Sequence, residues 1–77
     1  MTEFMNWLLA EKGFSPRTTR DVCSRLKRAQ QFVNAKAPED IVNSELEKNA
    51  EFNSLSFSVK SQLRRSIKLY AEYREIK

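Results

Sequence analysis

One glycine and two prolines in 77 residues leave this chain few places to turn. A sheet protein needs many tight turns, and such turns draw on Gly, Pro, Asn and Asp at set positions. Gly13, Pro16 and Pro38 are too few for that architecture. The apolar residues instead recur at three- and four-residue spacing, the period of a helix. They make up 40% of the chain, too many for a disordered tail and enough for one small core. The expectation is an all-α chain, residues 1–77 forming a single domain.

Four helices are expected. The first runs from Thr2, read as its N-cap, to Lys12, with Phe4, Met5, Trp7, Leu8 and Leu9 supplying a broad apolar face. Gly13 follows as a C-cap, where a positive φ costs glycine nothing. The second begins at Ser15 as N-cap with Pro16 in the first helical position, where its missing N–H does no harm. Val22, Cys23, Leu26, Ala29, Phe32 and Val33 carry that helix to about Asn34, before Pro38 forces Ala37 out of helical geometry. A short third helix is expected over 44–53, opened by a capping box of Ser44 and Glu47. Ser56 or Ser58 caps the fourth, whose stripe is Val59, Leu63, Ile67 and Tyr70, with Leu69, Tyr73 and Ile76 beside it.

Charge is distributed in blocks. Residues 1–11 carry a net −2, 12–36 a net +6, 37–56 a net −4 and 57–77 a net +4. A surface built only for solubility would mix the signs more evenly. On the second helix the side opposite the apolar stripe holds Arg17, Arg20, Ser24, Lys27 and Gln31, with Arg28 adjacent. On the last helix the corresponding side holds Ser61, Arg64, Arg65 and Lys68. One such stripe is what any solvated helix face looks like. Two, each following a Ser/Thr-rich helix start, point to DNA. Helix N-termini offer N–H groups to phosphate oxygens, and Arg and Lys supply the charge that releases counterions.

Other chemistry is hard to place. The chain has no histidine, no Gly-rich phosphate loop and no paired-cysteine spacing. The acids Glu39, Asp40, Glu45, Glu47 and Glu51 lack the spacing of a calcium loop and read as a solvated face. Cys23 alone makes neither an intrachain disulfide nor a metal cluster, and suits a buried position in a reducing cytoplasm. No apolar run approaches the ~18 residues that span a bilayer. The first residues carry two acids and no basic region, unlike a signal peptide. No enzyme, metal or cofactor is expected, and no membrane partner.

Residues 4–32, FMNWLLAEKGFSPRTTRDVCSRLKRAQQF, resemble the N-terminal core-binding domain of the tyrosine recombinases, the phage-integrase family. The likeness rests on an aromatic-rich first helix ending in Lys-Gly, then Ser15, Pro16, Thr18, Val22 and Leu26. The stretch SVKSQLRRSIKLYAEY looks like the family's second motif, a Ser/Thr-led helix with Leu-Arg-Arg at its centre. Two positions depart from the family: Val22 stands where Tyr is usual, and Ala29 where an aromatic is usual. The resemblance implies a SAM-like four-helix orthogonal bundle that clamps double-stranded DNA in site-specific recombination and DNA integration. It implies a recombinase catalytic domain or a neighbouring protomer as further partners. The family's catalytic Arg, His and Tyr have no counterpart here, so the chain is expected to be either a recombinase fragment or a stand-alone clamp half. The expected DNA-binding residues are Ser15, Arg17, Thr18, Arg20, Ser24, Lys27 and Arg28 on one helix and Ser58, Lys60, Ser61, Arg64, Arg65 and Lys68 on the other. They reach phosphates and, in places, major-groove base edges. The alternative is a protein-interaction module that binds a recombinase or another regulator without touching DNA.

Overall fold

Helix formation in this chain is governed by a few punctuating residues, and each boundary has a local cause. The computed structural model describes residues 2–76 and the side chains of 2–75. It contains five helices and, among the described residues, no strand: α1 Thr2–Ala10, α2 Pro16–Ala29, α3 Glu39–Lys48, α4 Ala50–Asn53 and α5 Phe57–Ile76. The chain is all-α as expected, with five helices in place of four. The flanking position expected for the side chain of Ile76 lies outside the described residues.

The first turn forms where the sequence puts it. Gly13 has φ 65°, the left-handed geometry that costs glycine least. A Cβ there would meet nothing within 4 Å, so the backbone angle alone selects glycine. The Phe14 N–H closes the turn on the Leu8 carbonyl at 3.1 Å. α1 ends at Ala10, short of Lys12, and Thr2 is its first helical residue, not its cap. Ser15 then caps α2: its backbone is extended, its Oγ accepts the Thr18 N–H at 3.2 Å, and Pro16 occupies the first turn.

The end of the second helix moves as well. α2 stops at Ala29, not Asn34. The Gln31 and Phe32 N–H groups donate to carbonyls three residues back, Arg28 and Ala29, at 3.1 and 3.0 Å, which tightens the chain out of the α-helix. Asn34 then makes a side-chain turn, its Oδ1 accepting the Lys36 N–H at 3.0 Å. The reason is burial. At ~100° per residue a continuing helix would keep Val33 inside but aim Ala35 outward, whereas the turn buries both.

The expected 44–53 helix is in fact two. Pro38 sits at the N-cap position, and Glu39 and Asp40 place negative charge on the first turn of α3, where the helix dipole favours it. Ser44 is therefore in the middle of α3, and no capping box forms. Asn49 leaves helical geometry with ψ 112° and caps the short α4, its Oδ1 accepting the Phe52 N–H at 2.9 Å. Of the two serines expected as the cap of the last helix, Ser56 fills the role, its Oγ accepting the Val59 N–H at 3.3 Å, and Ser58 lies inside α5.

The core is one cluster drawn from every helix. Phe4, Trp7 and Leu8 come from α1, Val22, Cys23, Leu26 and Ala29 from α2, and Val42 and Leu46 from α3. Phe52 of α4 and Leu63, Ile67 and Leu69 of α5 complete it, with Val33 and Ala35 from the α2–α3 turn. α2 and α5 form the principal packed pair, with α1 against both and α3 against α4 and α5. Tyr70, expected inside, is only half-buried and meets Phe4 edge-on at 5.2 Å. Phe4 also faces Tyr73, with centroids 5.3 Å apart. This aromatic group fastens the start of α1 to the end of α5. The Lys12–Glu72 ion pair, 2.5 Å, does the same for the end of α1.

Candidate nucleic-acid interface

With its apolar stripe turned inward, α2 must present the opposite stripe to solvent. Arg17, Thr18, Arg20, Ser24, Lys27 and Arg28 are all exposed, as is the capping Ser15. Arg17, Arg20, Ser24 and Lys27 succeed one another at three- and four-residue steps and so lie along one line of the helix. Among the described residues, none of the four α2 cations on this side is within 4.0 Å of a carboxylate. Asp21 is the single acid in α2. This is a basic ridge without carboxylate partners among the described residues, about three turns long.

The start of that ridge is more specialised than its charge alone. The Ser15 hydroxyl accepts the Thr18 N–H and donates to Thr18 Oγ1 at 3.0 Å. Its hydrogen-bonding capacity is largely used within the turn, while Thr18 keeps its own hydroxyl proton to donate outward. The Thr19 N–H goes to the Ser15 carbonyl at 2.9 Å, and Pro16 has no N–H. Of the first-turn donors, the Arg17 N–H is the one left without a partner among the described residues. Ser15 thus orients the turn, and Arg17 and Thr18 hold the groups that face out.

The α5 face is different. Ser58, Ser61, Arg64, Arg65 and Lys68 are exposed, and Lys60 is half-buried. Ser61, Arg64, Arg65 and Lys68 line a groove of about 510 Å³ whose other wall is α3, through Glu39, Asn43 and Glu47. The two glutamates lie at four-residue intervals with Asn43 on one face of α3, so they form an acidic lip facing the basic wall. None of the α2 residues lines this groove. Arg64 and Arg65 both line it. Arg64 also lies over the buried Phe52 ring, its guanidinium carbon 5.5 Å from the ring centroid. That contact holds the side chain against the protein and limits its reach.

Sequence reasoning missed three things here. It treated the α3 acids as a separate solvated face, because their α3 register was misread from Ser44. It did not foresee Phe52 beneath Arg64. It also passed over Phe57, which is 81% exposed and borders a smaller cleft with Lys60, Ser61 and Arg64. A signal for Phe57 was present: Ser61, Arg64 and Lys68 stand four, seven and eleven residues after it, so it belongs to the polar stripe and not to the core stripe.

Other candidate chemistry finds no site. Among the described residues no group of three His, Cys, Asp or Glu side chains is placed to hold a metal ion. Cys23 is buried on the core side of α2, and burial pushes its thiol up. No described helix is long and apolar enough to cross a membrane. Comparison with protein-family models, with curated proteins and with solved structures yields no match.

Proposed function

We propose that this chain is a module that binds double-stranded DNA, of the core-binding SAM-like type, and has no catalytic site of its own. In that arrangement α3 and α4 together stand for the third helix of a four-helix orthogonal bundle. The observation that carries the proposal is the α2 ridge: Arg17, Arg20, Lys27 and Arg28, all exposed and without carboxylate partners among the described residues, behind a helix start where Arg17 and Thr18 are exposed. Such a ridge tracks phosphates, and phosphate contacts fix position more than sequence. The α5 residues join it from their groove, with Lys68 and Arg65 ahead of the restrained Arg64.

The test is a salt titration of binding to a random-sequence duplex. If each of the four α2 cations displaces a counterion, log K falls with log salt at a slope of roughly −3 to −4, steeper if α5 adds contacts. A flat titration, or no binding at low salt, removes the proposal. The mixed charge of the α3–α5 groove favours one further reading, a protein-interaction module whose partner is bound in that groove. It is distinguished by binding that survives loss of the α2 cations.

A further inference from the structure

We propose that the start of α5 is a seat for one unstacked nucleotide, with Phe57 as the stacking surface. This rests on the DNA binding proposed above and narrows it to distorted or single-stranded DNA. The chain has five phenylalanines. Phe4 and Phe52 are buried, Phe14 and Phe32 are half-buried against the core, and Phe57 alone is 81% exposed. Single exposed apolar residues are common and need no purpose, so the surroundings decide. Among the described residues Phe57 shares its cleft only with Lys60, Ser61 and Arg64: two cations and a hydroxyl, with no carboxylate. Arg64 is already held in place over Phe52. The cap Ser56 takes the N–H groups of Val59 and, through its carbonyl, Lys60, which leaves those of Phe57 and Ser58 without a partner among the described residues.

A flat ring, two cations and two free backbone donors match the parts of a nucleotide. The base has a π-face for the Phe57 ring, and the phosphate takes Lys60, Arg64 and the amides. A base inside an intact duplex has no free face, so the seat is filled only where stacking is broken. An acidic peptide would satisfy the cations and leave the ring uncovered, which is why the nucleotide is the better occupant.

The experiment measures binding of the full chain and of Phe57→Ala and Phe57→Trp to three probes: a random duplex, the same duplex with a short single-stranded gap, and the gap strand alone. A 2-aminopurine placed in the gap reports stacking directly. Wild type is expected to prefer the gapped duplex about tenfold over the intact one, within the range of single base–aromatic contacts. Phe57→Ala should lose that preference and the 2-aminopurine change while keeping intact-duplex affinity, and Phe57→Trp should restore both. Equal wild-type affinity for gapped and intact duplex overturns the seat but leaves duplex binding standing. A preference that persists in Phe57→Ala does the same. Absence of binding to all three probes, with retention of an acidic peptide such as oligoglutamate, overturns both and assigns the surface to a protein. Because Phe57 packs on little, its variants should fold, and an unchanged melting temperature checks this.

Discussion

Leu26 shows how directly one residue's chemistry can be read. It falls on the inner stripe of α2 by spacing alone, and it is 0% exposed in the core between α2 and its neighbours. Leu26→Ala leaves a cavity in a domain too small to absorb it. The expected loss is ~2–5 kcal/mol by denaturant titration, a large share of the stability of so short a chain. Ser15 is the second case, because its hydroxyl acts inside the turn. Ser15→Ala should cost ~1 kcal/mol of folding stability. It should also weaken DNA binding by the folded fraction, since Thr18 loses the partner that orients it. A melting curve with a parallel binding isotherm separates the two effects: stability loss with intact affinity would confine Ser15 to capping. Tyr70 and Ala35 mark where residue-level reading stops. Tyr70 has the right spacing for the core but only partial burial, and Ala35 enters the core through a turn that no helical period describes.

At the scale of the element, legibility followed the strength of the caps. Gly13, Ser15 and Pro16 fix the α1–α2 turn because each has one comfortable backbone role there. Between Pro38 and Ser56 the competing signals are closer in strength. Ser44 and Glu47 spell a capping box, yet Pro38 followed by Glu39 and Asp40 opens a helix earlier. The earlier start sets Val42 and Leu46 inward, one helical turn apart. Asn49 then restarts the helix as α4 so that Phe52 can reach the core. Once α3 begins at Glu39, its acidic face is fixed opposite Arg64, Arg65 and Lys68, and the basic wall of α5 ceases to be a free surface. That juxtaposition is a tertiary fact, and nothing local in either helix announces it. It has a direct consequence for binding. A phosphate backbone approaching α5 meets Glu39 and Glu47 across the groove, and like charges repel. Glu39→Gln with Glu47→Gln should therefore tighten duplex binding and steepen its salt dependence, with little change in stability, since exposed charges contribute little to folding. An affinity that does not change would mean DNA stays on the α2 side.

For the whole molecule, the question is whether α2 and α5 act as one surface. They form the principal packed pair, so each turns its polar stripe away from their shared contact. The Cα trace measures 35 × 24 × 15 Å, and its least dimension leaves room for about two layers of helix. Charge blocks in the sequence point to two basic helices; their relative placement, and the acids that face one of them across a groove, depend on packing that blocks of charge do not encode. Lys27→Ala with Lys68→Ala tests the combined surface, because it removes one exposed cation from each helix and touches no core residue. Stability should change by less than about 0.5 kcal/mol. Salt titration on a random duplex should give a slope shallower by roughly one unit if α2 alone meets phosphate, and by roughly two if both helices do. The single variants resolve the difference. Lys27→Ala should always reduce the slope, whereas Lys68→Ala does so only if DNA enters the α3–α5 groove. An unchanged slope in both would turn these faces over to a protein partner.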